Sequence, residues 1–192
     1  NLIVAAGSNF ENGNPALYAQ RLIELILDEP MVIRAYTGDK INDALLAGAY
    51  SVYGSGLAYF EKTRQPMTTS QAELTEAFAY FNQFVSRAAL QADYEKSFQK
   101  IREGRQPLAK RHFAKIGSFM AAALQEKSGA AQLDSYRQVG PIMFFADYVA
   151  AYKKDSQISK AARFDAPFEK MMAQWQQDWR KTWNEEMRGL KI

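Results

Sequence analysis

SQAELTEAFAYFNQFVSRAALQADYEKSFQKIRE, residues 70–103, decides the fold class. Leu74, Phe78, Phe81, Val85, Ala88 and Ala92 recur at alternating spacings of four and three, which stacks them on one face of a helix. Ser70-Gln71-Ala72-Glu73 fits a capping box, in which the Ser70 hydroxyl takes the Glu73 amide and the Glu73 carboxylate returns to the Ser70 amide. Neither Gly nor Pro interrupts the stretch before Gly104 and Pro107, so the spacing predicts one long helix over 70–103. Beyond Ala92 the stripe changes phase to Leu90, Tyr94, Phe98 and Ile101. Such a helix meets different neighbours at its two ends.

Working outward, the flanks read the same way. Upstream, residues 7–14 form a turn-rich lead-in and Asn14-Pro15 opens a helix that stops before Pro30. Residues 31–36 are read as helix or extended linker, since an isolated strand has nothing to pair with. Asp39 or Thr37 caps a helix rich in small residues and tyrosines. Ala44/Gly48 and Gly54/Ala58 would let a neighbour approach closely, and Gly54-Ser55-Gly56 is expected to kink it. Downstream, a helix is predicted over 108–127 with Gly129 as its stop, then a short helix ending at Gly140-Pro141. Residues 142–152, nearly all apolar, are expected to be the most buried helix. A polar connector leads to Asp165-Ala166-Pro167 and a last helix to about Arg188. No alternating strand pattern and no repeat appears. The expectation is an all-α, single-domain irregular bundle of six to seven helices.

Composition agrees. The chain has 192 residues, 47% hydrophobic and 23% charged, which is the balance of an ordinary folded domain. It contains no Cys, so disulfides, Cys-ligated zinc, iron–sulfur clusters and thiol catalysis are excluded. A net charge of +3 is too small to argue for nucleic acid. No apolar run approaches the length of a membrane span. Asn1 and the apolar tract 2–6 are expected to follow a processed or excised segment. Cytoplasmic and bacterial-envelope locations both stay open.

Four features carry candidate sites. Lys100, Arg102, Arg105, Lys110, Arg111 and Lys115 surround a predicted inter-helix turn with Glu103 as the only acid between them in the chain. That cluster would suit a phosphate, an acidic peptide or anionic headgroups on a membrane surface; otherwise it is a solvated corner. His112, the only histidine, lies inside it, and it is read as a surface residue with neither metal nor haem. Trp175, Trp179 and Trp183 repeat every four residues on the last helix, as a partner-binding face or a face packed on its own bundle. Bundle packing is preferred, because an exposed face of three tryptophans invites aggregation. Tyr50, Tyr53 and Tyr59 would line a small-ligand pocket or the rim of a close helix contact.

Asp147 interrupts an apolar helix and is read as part of its polar strip; Asp39 and Asp43 lack a third oxygen cluster for calcium. The order helix, Gly129, short helix, Gly140-Pro141, aromatic helix is similar in rhythm to the helical C-terminal part of some zinc peptidases, but the zinc-binding motif is absent and no residue is carried over. No nucleophile, base and orienting group can be grouped by spacing. The sequence therefore leads to a non-catalytic interaction or adaptor domain with an acidic or anionic protein partner and no cofactor or metal. A helical carrier of a small apolar ligand is second, and an enzyme third.

Overall fold

The computed structural model describes residues 38–105, 110–154, 158 and 160–189, without the side chains of Arg105 and of residues 183–189. The readings of residues 1–37, including the helix before Pro30 and the segment 31–36, lie outside the described residues. Among the described residues the chain is an all-α bundle. Its helices are α1 (Lys40–Thr63), α2 (Gln71–Phe84), α3 (Arg87–Ala92), α4 (Tyr94–Arg105), α5 (His112–Ser128), α6 (Ala130–Lys154) and α7 (Ala166–Gly189), with a 3-10 turn at Lys160–Ala162.

The bundle is built around α1, not around 70–103. Fifteen of its 24 residues are buried, on every side of the helix, which makes it more enclosed than the aromatic stretch of α6. Asp39 caps it, its Oδ1 accepting from the amides of Ile41 (2.8 Å) and Asn42 (3.1 Å). The expected kink at Gly54-Ser55-Gly56 is absent and the helix runs unbroken. Its glycines serve approach instead. A β-carbon on Gly56 would fall 2.2 Å from the Cα of Gly117, so α1 and α5 cross backbone on backbone. Gly48 leaves the notch that Val85 fills, where an added β-carbon would lie 2.7 Å from the Val85 Cγ1.

That notch bears on the first correction. The stretch 70–103 is three helices, α2, α3 and α4. Val85 leaves the helical conformation (φ −92°, ψ 58°) as it enters the notch, Ser86 recaps α3 through the Ala89 amide, and Asp93 accepts from the Lys96 amide. Ser and Asp compete with the helix by bonding nearby amides, so a break needs no Gly or Pro. The stripe accordingly changes face at Val85: Leu74, Phe78, Phe81, Val85 and Leu90 are buried, whereas Ala88 and Ala92 are exposed. The capping box is half made. Ser70 Oγ accepts from the Glu73 amide at 3.5 Å, but the Glu73 carboxylate turns outward to Lys115.

α5 starts at His112, and buries Phe113, Ile116, Met120 and Leu124. The turn before α2 is pinned to it by the Met67 amide, which donates to Ser118 Oγ at 2.9 Å. In α6 the expected interruption is present: Gly140 takes φ 81° before Pro141, and the Tyr53 hydroxyl donates to the Tyr136 carbonyl one turn earlier (2.8 Å). Phe81 meets the rings of Phe113, Phe145, Phe164 and Phe168 at centroid distances of 4.9–6.1 Å, a knot that ties α2, α5, α6 and α7 together. Asn82 holds the entry to α7, donating to the Arg163 carbonyl (3.1 Å) and accepting from the Asp165 amide (3.2 Å).

Candidate functional site

Lys100, Lys110, Arg111 and Lys115 lie where α2, α4 and α5 meet the end of α1. Their surroundings differ from the count along the chain, because α2 presents two carboxylates to them. Lys115 Nζ pairs with Glu73 at 2.8 Å, Lys110 pairs with Glu76, and Lys100 pairs with Glu103 at 2.6 Å. Each pairing, led by the hydrogen bond from its lysine, holds the Glu73, Glu76 or Glu103 carboxyl below the ordinary glutamate range. Three of the cations, Lys100, Lys110 and Lys115, thus each meet an acid, two of which come from α2. In the sequence Glu73 reads as the acid of a capping box, and Glu76 carries no signal of its own. Their spacing of three places both on one exposed face, a signal that becomes meaningful only once α5 lies alongside.

Arg111 precedes α5 in the left-handed conformation (φ 54°), a rare geometry for a residue with a β-carbon. Its guanidinium lies over the Tyr59 ring, 5.6 Å from the centroid. This contact brings the corner to the last turns of α1, where Lys62 and Arg64 are exposed. Arg102 is exposed on α4. The Arg105 side chain lies outside the described residues.

His112 is buried, at 7% exposure, which corrects the expectation of a surface histidine. Its ring stacks on Tyr80, with centroids 4.5 Å apart and planes at 25°. The Nδ1 atom has no hydrogen-bond partner. Burial pushes its pKa below the ordinary value of 6.5; Glu76 opposes that shift, while Lys115 and Lys110 add to it. Tyr80 in turn donates its hydroxyl to the Lys100 carbonyl at 2.7 Å, and burial raises its pKa to about 12. Tyr80 lies off the apolar stripe of its helix, so the spacing gives no signal for it.

Tyr50 and Tyr53 are buried, and the Tyr53 hydroxyl is bonded to backbone, whereas Tyr59 lies half-exposed under Arg111. On α7, Phe168 and Met172 are buried and Trp175 packs partly against the core. Trp179 is half-exposed, and the side chain of Trp183 lies outside the described residues. Asp147 is also half-exposed and accepts from the Tyr136 hydroxyl at 2.7 Å, in keeping with the polar strip. Among the described residues there is no group of three or more His, Asp or Glu side chains placed to hold a metal ion, and no helix is long and apolar enough to cross a membrane.

Comparison with protein-family models, with curated proteins and with solved structures finds no match to this chain.

Proposed function

We propose that this chain is a non-catalytic helical interaction domain that engages an acidic segment of a partner protein through the corner at the start of α5. The observation that carries this reading is the joining of two cationic ends. The Arg111–Tyr59 contact joins the start of α5, next to Lys110 with its side chain 69% exposed, to the last turn of α1, where Lys62 and the following Arg64 are exposed. The glutamate already on Lys110 does not argue against it. That pair is solvated, its side chains 69% and 48% exposed, and contributes little to stability, so a partner's carboxylate can replace Glu76 at small cost. Charge complementarity of this kind favours fast, salt-sensitive association.

The test is titration with a glutamate-rich peptide, with vesicles of anionic lipid and with inorganic phosphate, each at low and high salt. Peptide binding that weakens with salt and disappears in a Lys110→Glu/Arg111→Glu variant supports the reading. Binding that ignores salt, survives the double reversal, or occurs only with vesicles or phosphate overturns it.

A second reading rests on α7. Past Trp175, the residues Gln177, Asp178, Arg180, Lys181 and Thr182 are exposed and Trp179 is half-exposed, so this end of the helix is accessible to a partner's groove. Trp179→Ala would weaken capture of such a partner without changing the salt dependence of the corner.

A further inference from the structure

We propose that His112 is an acid trigger which opens the junction of α2, α4 and α5. The ring sits where three helices share one chain of contacts. From α5 it stacks on Tyr80 of α2, and Tyr80 reaches α4 through its hydroxyl bond to the Lys100 carbonyl. The neighbouring Phe113 closes the same junction: a β-carbon on Gly104 of α4 would lie 2.7 Å from its Cζ. The neutral ring is accommodated there with Nδ1 unpaired. A protonated ring carries N–H on both nitrogens, and the closed junction offers the one on Nδ1 no acceptor. Leaving a charged donor buried and unpaired is costly, and swinging the ring out to water separates α5 from Tyr80.

The charged groups around the ring do not remove that cost. Glu76 of α2 attracts a proton to it, but this carboxylate is held by Lys110. Lys110 and Lys115 repel the proton, and Glu103 of α4 is paired with Lys100. The face of Tyr80 attracts a ring cation, while burial, larger than the pull of Glu76, works against it. The sign follows. The folded pKa lies below 6.5, so the unfolded or open chain binds more protons between the two values. The closed junction has its full stability above pH 6.5 and loses it as pH falls through that window, with the opening constant rising by up to about tenfold per pH unit. This inference does not depend on which partner the corner binds.

The chain has one histidine, so its imidazole signal in a proton NMR titration needs no assignment. The expected result is a midpoint below 6.5. It is accompanied by loss of amide-exchange protection in α4 and the first turn of α5 between about pH 7.5 and about pH 5.5, after correction for intrinsic exchange. The centre of α1 should keep its protection, and His112→Gln should flatten the response. A midpoint at or above 6.5, protection that does not change with pH, or the same loss in His112→Gln overturns the proposal. Where His112→Gln fails to fold, the wild-type titration and exchange decide it.

Discussion

Gly56 and Gly117 pass each other with no side chain between them, and the carbonyl of Val52 lies 2.0 Å from where a Gly117 β-carbon would be. Both obstacles are backbone within packed helices, so neither can yield as a side-chain tip would. Gly56→Ala and Gly117→Ala should each cost about 3 kcal/mol, read as a lower urea midpoint at unchanged slope. Gly129 provides the contrast. Its φ is 83° but the space around it is open, so Gly129→Ala should cost only about 1–2 kcal/mol and Gly129→Asn less still. Equal losses at Gly56 and Gly129 would mean that the helix crossing is looser than described.

Two tyrosine hydroxyls, one bonding from α1 to α6 and one within α6, should differ in weight. Tyr53 is 1% exposed and its hydroxyl serves the Tyr136 carbonyl beside the Gly140 break. Tyr53→Phe leaves that carbonyl without its donor, at a cost of about 1–3 kcal/mol. Tyr136→Phe removes the bond to Asp147, which is half-exposed and accepts water in exchange, so about 1 kcal/mol is expected. Urea unfolding of the two variants side by side checks the order.

Asn82 is the pin for α7. Its two bonds go to the Arg163 carbonyl and the Asp165 amide, just ahead of the Phe168 amide that Asp165 Oδ1 caps at 2.9 Å. Asn82→Ala should cost about 2 kcal/mol, one hydrogen bond's worth at each end. Limited proteolysis should show earlier cleavage around the start of α7, with α1 and α5 protected as before. Uniform loss of protection throughout the bundle would assign Asn82 a global role instead.

Ser86 should matter more than its exposed surroundings imply. Its Oγ accepts from the Ala89 amide at 3.2 Å and restarts the helix after Val85 enters the Gly48 notch. Ser86→Ala should cost about 1 kcal/mol. Ser86→Asp should recover most of it, since an aspartate caps equally well. Failure of that recovery in urea unfolding would show that the hydroxyl does something other than capping.

The carboxylates of the corner predict a second, more acidic loss of stability, separate from that of His112. Glu73, Glu76 and Glu103 are depressed below 4.5, so their contribution is present above pH 4.5 and is lost as pH falls through the depressed values. Added salt should shrink this phase, because these carboxylates are exposed to solvent. Urea midpoints measured against pH at two salt concentrations test it. A phase below pH 4.5 that is insensitive to salt would remove the ion pairs as its cause.

Much of the helical class was legible because it depends on spacing within a few residues. Leu74, Phe78 and Phe81 recur at helical intervals and all three are buried; Asp39 caps where an aspartate before a helical run should, and Gly129 and Gly140-Pro141 mark real interruptions. The candidate site was legible only as a list of cations. Its acids, Glu73 and Glu76, lie on another helix, and the burial of His112 depends on Tyr80 in α2 and on α4 closing beneath it.

The helices and most of their turns follow from local sequence, since capping, glycine and proline act through neighbouring amides. Packing between distant segments sets the break of 70–103 into three helices and the central place of α1. Packing likewise encloses the lone histidine, its ring stacked on Tyr80. Those outcomes rest on contacts between distant residues, such as Val85 in the Gly48 notch and Gly56 against Gly117, whose consequences appear only when the helices pack.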